Sequence, residues 1–333
     1  MRRASWGFSW RKRRLLAGFV GAPVARLAPG QPLDPGDELY VWGTQAVPEW
    51  LADGVHVLRV EDGFLRSVGL GAALARPASW VIDPLGLHYD PSRPSRLETI
   101  LCTAEFEAVQ LQRARRTRML IVRHGLSKYN LPGRAWRRPT CKNRETILVT
   151  GQVASDASLR CGAIGRVTSN NELLLAVRRE HPDAYVVYKR HPDVHLGLRD
   201  GDDSNARDWA DEVVADADIT HLLAQVDRVH VLTSLAGFEA LLRNVPVTCH
   251  GMPFYAGWGL TDDRVAIDRR QRVLSVDQLV AGALLSYPTY VHPTRRIRVE
   301  VEDVIEALCA PMTLRQRLSQ KLAACAMRLT AKP

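Results

Sequence analysis

The chain has 333 residues, 46% of them apolar and 24% charged, which suits a soluble globular protein of two ordinary domains and excludes a collagen, a disordered tail or a disulfide miniprotein. The formal charge is +9, but eleven of the 45 Lys and Arg residues lie in the first twenty and last twenty-five positions, where there is no acid. That leaves 34 bases against 36 acids between the ends, and a near-neutral body argues against a nucleic-acid-binding face.

The six cysteines (Cys102, Cys141, Cys161, Cys249, Cys309, Cys325) are scattered, with no Cys/His spacing suited to zinc, and read as reduced thiols. Basic residues 11–14 precede the apolar run 15–25, which superficially copies an export signal, and Arg2-Arg3 adds a twin-arginine note. Gly18, Gly21 and Pro23 interrupt that run, so the expected location is the cytoplasm. The N-terminal bases then read either as a membrane contact or as a solvated turn before the first strand.

In chain order, 39–42 (LYVW) and 55–60 (VHVLRV) read as buried strands, the second running straight into Glu61-Asp62-Gly63. Residues 80–83 and 119–122 are further strand candidates, with 94–115 helical between them. Residues 123–145, polar and basic with Pro132, Gly133 and Pro139, read as an interdomain linker. Alternation then restarts: strand 146–149 ending in Thr150-Gly151-Gln152, helix 171–180, strand 184–188 leading into Lys189-Arg190-His191-Pro192. Helix 219–224, strand 228–232, a helix over 237–242 and strand 246–249 follow. The expected fold is α/β, with two Rossmann-like domains facing a central cleft, over 1–135 and 146–295, and C-terminal helices over 296–333.

Four groups of residues fall at strand ends, where open α/β sheets bind ligands. In VLTSLAGFEALL (231–242) a strand meets a Ser-x-x-Gly turn and a helix N-terminus, suited to a phosphate, with Glu239 one turn in; Ser234 is equally a plain helix cap. Lys189, Arg190 and His191 suit a nucleotide phosphate, whereas His181-Pro182 and His292-Pro293 read as surface turns. Glu61-Asp62 and Asp156 are acids able to serve as base, nucleophile or orienter. In GMPFYAGWGLTDD (251–263), Tyr255 and Trp258 either lie against a sugar or base, or belong to a rigid packed loop.

Taken together, VWG (41–43), VEDGFLRSVGLGA (60–72), PLGLHYDPSRPSRLE (84–98), LSKYN (126–130), GQVASDAS (151–158), YKRHPDV (188–194), TSLAGFEALL (233–242) and GMPFYAGWGLTDD (251–263) run in an order that closely resembles the capsule polysaccharide synthesis family, specifically its bacterial β-Kdo transferases. The pairing of an acidic motif with a His-Pro motif is also similar to bacterial sialyltransferases. The resemblance implies a GT-B-like glycosyltransferase that uses CMP-β-Kdo as donor, with no metal or other cofactor, and retains the anomeric configuration. The first domain would take the acceptor and the second the CMP-sugar.

It implies Asp156 as the attacking carboxylate, His191 with Lys189 at the leaving phosphate, Ser234 on the same phosphate, Glu239 at the ribose and Glu61 at the acceptor hydroxyl. Gln152, Arg190, Gly237, Asp62, Arg66, Tyr255 and Trp258 complete the substrate-binding set. The implied acceptor is a Kdo-terminated or phosphatidylglycerol-type glycolipid at the cytoplasmic face of the inner membrane, with capsule biosynthesis and export proteins as further partners. Residues 312–332 place Leu314, Leu318, Leu322, Cys325 and Leu329 at four- and three-residue spacings among bases, either an amphipathic helix for anionic lipid or a helix packed across the domains. Family members often carry two such modules in tandem, whereas this length holds one. A non-catalytic capsule assembly component, or a transferase for another CMP-sugar, are the competing readings.

Overall fold

A computed structural model of the chain describes residues 1–69, 75–131, 133–140 and 144–310, arranged as two β-sheets with helices packed on them. The first stretch supplies β1 (Arg3–Trp6), β2 (Ala25–Arg26), β3 (Glu38–Trp42), β4 (His56–Asp62) and β5 (Ser79–Asp83). The middle supplies β6 (Thr146–Thr150), β7 (Tyr185–Lys189), β8 (Glu212–Val214), β9 (Arg228–Val231), β10 (Val247–Cys249) and β11 (Asp262–Asp263). The chain then returns with β12 (Pro288–Val291) and β13 (Arg298–Val299).

The second sheet is wholly parallel, in the order β8-β7-β6-β9-β10-β11. This is the doubly wound order, with its reversal point between β6 and β9, so the crevice beyond the ends of those two strands is where a ligand belongs. Strands β6 and β7 (TILVT, YVVYK) are almost continuously buried and β-branched, as strands covered on both faces must be. Helix Asn170–Glu180 lays Leu173, Leu174 and Val177 against Ile147, Val149 and Val186. Its start is fixed by a capping box in which Ser169 and Glu172 exchange hydrogen bonds with each other's backbone N–H.

The first sheet is mixed. Strands β2, β1, β3 and β4 run parallel, whereas β5 is antiparallel to β4, and β12 and β13 extend that edge antiparallel. The expected boundary at 295 therefore gives way: residues 288–299 complete the first sheet instead of closing the second domain. The basic N-terminal stretch is neither a free turn nor unstructured. It forms β1 and the helix Trp10–Val20, which buries Leu16 and Phe19 and stacks Phe19 on Trp80 at 4.3 Å between ring centroids.

Two further expectations change. Residues 119–122 are the end of the helix Ala108–Arg123, not a strand; only Ile121 of the four is buried, and Met119 is 60% exposed. Four apolar residues in a row carry too little periodicity to separate the two states, and the Gln- and Arg-rich residues before them propagate the helix. The single helix expected over 94–115 is two, Arg96–Thr103 and the start of Ala108–Arg123. The expected C-terminal helix at 312–332 lies outside the described residues.

One hydrophobic core runs through both halves, from Val81 and Leu101 to Val229 and Trp258, with Phe64 stacked on Phe254 at 4.4 Å. Glu98 and Arg270, both buried, pair at 2.9 Å across the same junction. Arg270 also donates to the carbonyls of Pro253 (2.8 Å) and Ala256 (2.9 Å). These contacts hold the loop 251–263 against the first half.

Candidate active site

A cleft of about 810 Å³ opens between the two sheets, at the strand ends that the second sheet's topology singles out. Glu61, Asp62 and Tyr89 border it from the first half, and Gln152, Asp156, Lys189, Arg190, His191, Ser234 and Glu239 from the second. The acids and bases that lie up to 178 positions apart in sequence thus share one wall-to-wall space.

Asp156 is the N-cap of the helix Ala157–Gly162. Its Oδ1 accepts from the Ser158 backbone N–H and from the Ser158 hydroxyl, both at 2.8 Å, and Oδ2 accepts nothing from the described residues. Ser158 is itself placed by Gln152, whose Nε2 donates to Ser158 Oγ at 3.3 Å and to Thr233 Oγ1 at 2.9 Å. Gln152 Oε1 accepts from the Thr233 backbone N–H at 3.0 Å. The buried Gln152 amide therefore ties the end of β6 to the end of β9 and orients Asp156 through Ser158. Gly151 is required here for space: a Cβ would stand 2.1 Å from Tyr188 Oη.

His191 caps the short helix Pro192–His195, and its Nδ1 accepts from the Asp193 backbone N–H at 3.1 Å. That bond assigns the proton of the neutral ring to Nε2, the nitrogen left for a ligand. Burial lowers the His191 pKa, against the pull of Asp193 and Asp156, which keeps the ring neutral at pH 7. Lys189 donates to the Ala215 carbonyl at 2.7 Å, and burial brings its pKa down to about 8. Arg190 is paired with Asp203 at 2.8 Å. Ser234 caps the helix Leu235–Leu242, its Oγ accepting from the Ala236 N–H at 3.3 Å, so the cap and the cleft-lining position coincide in one residue.

On the first-sheet wall, Glu61 and Asp62 are the last two residues of β4 itself, paired across to Val81 and Trp80 of β5. Glu61 accepts from Tyr89 Oη at 3.1 Å and from the Asp62 N–H at 2.9 Å. Burial, then the neighbouring Asp62 charge, raises the Glu61 pKa above that of an ordinary glutamate. Asp62 is committed elsewhere: it accepts from Arg66 Nε at 2.7 Å and from Trp80 Nε1 at 3.0 Å. Helix Trp10–Val20 adds Lys12, whose ammonium lies 3.3 Å from the centre of the Trp42 ring and feels both acids; burial lowers its pKa.

Four expected substrate contacts do not border the cleft. Arg66 is buried behind Asp62 as its ion-pair partner. Tyr255 and Trp258 are fully buried: Tyr255 Oη donates to the Ser234 carbonyl, and Trp258 Nε1 to the Phe254 carbonyl at 2.8 Å. Gly237 is small so that Tyr255 fits, since a Cβ there would meet the Tyr255 hydroxyl at 2.3 Å. The loop 251–263 is the packed brace, and it lends only Pro253 and Phe254 to the lining.

Conversely, Lys128, His88 and Tyr89 line the cleft without having been singled out for chemistry. Lys128 lies in the stretch whose composition reads as linker. That stretch is docked instead: Trp136 is buried and donates to Glu212 at 3.0 Å, and Arg134 bridges to Ala217. Burial, and then the Lys128 charge, lowers the His88 pKa to about 3. Away from the cleft, Glu180, His230 and His250 bring ligand-type atoms within 4.8 Å of one another. There the exposed Glu180 carboxylate is already ion-paired with Arg264, and His230 Nδ1 faces His250 Nε2 at 3.1 Å, while His230 Nε2 is buried with no hydrogen-bond partner among the described residues.

Comparison with known proteins follows the same geometry. The family model described as "Capsule polysaccharide biosynthesis protein" matches residues 49–293. The capsule polysaccharide modification protein LipA of Neisseria meningitidis, in serogroup A and serogroup B strains alike, is 39% identical over 329 residues, covering 95% of this chain and 46% of LipA. The lipopolysaccharide-processing protein LpsZ of Rhizobium meliloti is 44% identical over 264 residues, 78% of this chain and 60% of LpsZ. The chain thus spans about half the length of the curated relatives it matches.

Among solved structures, the Thermosulfurimonas dismutans KpsC β-Kdo 2,4 transferase superposes with a TM-score of 0.81 at 33% identity, covering 92% of this chain and 98% of that one. The β-Kdo 2,7 transferase of the same KpsC gives 0.77 at 37% identity, with the same coverage. Shape favours the first and sequence the second, so similarity alone does not choose a linkage. With three quarters of its length matched by the family model, and with these two Kdo transferases among its structural relatives, this chain belongs to the capsule polysaccharide biosynthesis family.

Proposed function

We propose that the chain is a retaining β-Kdo glycosyltransferase with a GT-B-like arrangement, moving Kdo from CMP-β-Kdo to a Kdo-terminated or phosphatidylglycerol-type glycolipid acceptor in building a capsule linker. The observation that carries this reading is the placement of Asp156, with one carboxylate oxygen held by Ser158 and the other without a donor among the described residues, in the same cleft as His191 and Glu61.

In the first step Asp156 Oδ2 attacks the anomeric carbon, and the bond from that carbon to the phosphate oxygen of CMP breaks, with the electron pair leaving on CMP. His191 Nε2–H and the Lys189 ammonium stabilise the departing phosphate, with the Ser234 helix N-terminus completing the phosphate site. The product is a Kdo ester of Asp156. In the second step Glu61, made more basic than an ordinary glutamate by burial and by the neighbouring Asp62 charge, takes the proton of the acceptor hydroxyl. That oxygen displaces Asp156, and two inversions give retention. Arg190 and Glu239 hold the nucleotide, Glu239 at the ribose. Fixed cations suffice for a single leaving phosphate, so the reading needs no metal or other cofactor.

A lipid acceptor places the protein at the cytoplasmic face of the inner membrane as a peripheral protein, beside other capsule biosynthesis and export components. Among the described residues no helix is long and apolar enough to cross a membrane. The helix Trp10–Val20 offers a surface contact: Trp10 is 56% exposed, with Arg11 and Arg14 at 5.4 and 5.6 Å from its ring. The test is release of CMP from CMP-Kdo by purified protein with a Kdo-primed lipid. Turnover that needs both substrates and is lost in Asp156→Ala supports the reading; no release with any Kdo-terminated acceptor defeats it.

A further inference from the structure

Lys128 stands on the segment that joins the two halves, and that segment is bolted to both. Its backbone N–H donates to Glu239 Oε1 at 2.8 Å, and its carbonyl accepts from the N–H groups of Arg66 (3.1 Å) and Ser67 (3.2 Å). Two residues on, Asn130 adopts a left-handed conformation (φ 46°) and donates from Nδ2 to the Ser67 carbonyl at 3.0 Å. Arg243 holds the Leu126 carbonyl at 3.0 Å. The backbone is thus fixed while the half-buried side chain lines the cleft.

Of the other lysines and arginines that line the cleft, Arg190 has Asp203, Lys189 the Ala215 carbonyl and Arg199 the Ser155 hydroxyl, and Arg160 is exposed to solvent. The Lys128 ammonium has no hydrogen bond or ion pair with a described residue, only the Tyr129 ring at 5.4 Å. Burial works against its charge, but Tyr129, Asp62, Glu61 and Asp156 outweigh that, and its pKa lies above that of a free lysine. It is a preserved, uncommitted positive charge between the acids of the two walls.

The donor chemistry explains what such a charge is for. The anomeric carbon of a 2-keto sugar acid carries a carboxylate, so an attacking aspartate approaches a carbon that already bears a negative group. Asp156 and Glu61 alone would repel that substrate. We propose that Lys128 is the carboxylate-recognition residue of the cleft, its ammonium pairing with the carboxylate on the anomeric carbon of the donor while Asp156 attacks the same carbon. This rests on the reading of the chain as a CMP-Kdo transferase and adds the group that selects a sugar acid over a neutral sugar.

The experiment compares wild type with Lys128→Met and Lys128→Arg, using CMP-Kdo as substrate and CMP alone as a ligand in calorimetry. CMP carries the phosphate but not the sugar carboxylate. Lys128→Met should lower kcat/KM for CMP-Kdo by about 10- to 100-fold, the worth of one charge-assisted hydrogen bond, with CMP affinity within about twofold of wild type. Lys128→Arg should recover part of the loss. Unchanged CMP binding also shows that the variant site is folded.

Unchanged kinetics in Lys128→Met, or CMP affinity falling in parallel with kcat/KM in both variants, overturns the assignment; the second outcome places Lys128 on the phosphate or in the framework. Wild-type protein that releases no CMP from CMP-Kdo defeats the transferase reading and this assignment together. Wild-type turnover with an indifferent Lys128→Met defeats only the assignment.

Discussion

On the second-sheet wall of the cleft, His191, Ser234 and Asp156 each follow a parallel strand and cap the helix that comes next. On the first-sheet wall, Glu61 and Asp62 sit inside a strand, at the place where the sheet changes from parallel to antiparallel, and are held by Tyr89, Arg66 and Trp80. The first arrangement is the general ligand geometry of doubly wound sheets; the second does not follow from that rule. On the proposed reading the donor site is therefore set by topology, and the acceptor side by side-chain contacts gathered within residues 61–89.

If the walls divide the reaction in this way, their variants must fail differently. Asp156→Ala removes the nucleophile, and both CMP release and sugar transfer should fall by at least about 10⁴-fold. Glu61→Gln keeps the shape and the Tyr89 contact but loses the base. Transfer should drop by roughly 10²- to 10⁴-fold, while a single burst of CMP release from the donor persists. Stopped-flow CMP release against product formation reads the difference, and loss of the burst in Glu61→Gln would erase the division between the walls.

A smaller effect probes the donor wall by pH. Lys189, with a pKa of about 8 in the free protein, is cationic below that value and neutral above it. As pH rises through about 8, kcat/KM for CMP-Kdo should fall, and Lys189→Arg, which stays charged, should push that limb upward. A limb unmoved in Lys189→Arg assigns it to another group.

Much of the donor wall was legible in the sequence because parallel strands announce themselves as short β-branched runs that break into Gly, Ser, Lys and His at their ends. TILVT-GQ, YVVYK-RHP and RVHVL-TS are such junctions, and all three open on the cleft. The acceptor wall was less legible. Glu61 and Asp62 announced a strand end, but that Asp62 and Arg66 neutralise each other is a fact of spatial packing. Residues 126–136 have the composition of a linker, and their docking depends on Glu239, Glu212 and Ser67, none of them nearby in sequence. The aromatic loop 251–263 misled because Tyr and Trp serve a core as readily as a sugar. The return of β12 and β13 to the first sheet is a long-range pairing that no local pattern encodes.

The buried histidines of the second half give a stability prediction. Burial lowers the His230 pKa to about 2 and that of His250 to about 4, so neither takes up a proton in the folded state near neutrality. The unfolded chain protonates both near pH 6.5, so it binds more protons below that pH and stability falls as pH drops. The slope is at most about 1.4 kcal/mol per pH unit for each histidine, with stability lost from pH 6.5 down to about 4 for His250 and about 2 for His230. Thermal unfolding followed from pH 7.5 to 5 should show a declining Tm; a flat profile contradicts the burial of these rings as neutral groups.

The smallest expected effect concerns the aromatic brace. Tyr255→Phe removes the hydroxyl that bonds the Ser234 carbonyl and should cost about 1 kcal/mol of stability. KM for CMP-Kdo should stay within about twofold, because the ring does not touch the cleft. A tenfold rise in KM with unchanged Tm would return Tyr255 to the substrate.

The central claim is that Asp156 becomes covalently bonded to the sugar. Intact-protein and peptide mass spectrometry after brief mixing with CMP-Kdo, without acceptor, tests it directly. The account predicts an increment of one Kdo residue, located on Asp156, which disappears when acceptor is added. Rapid CMP release with no adduct on Asp156, or an adduct on another residue, contradicts it.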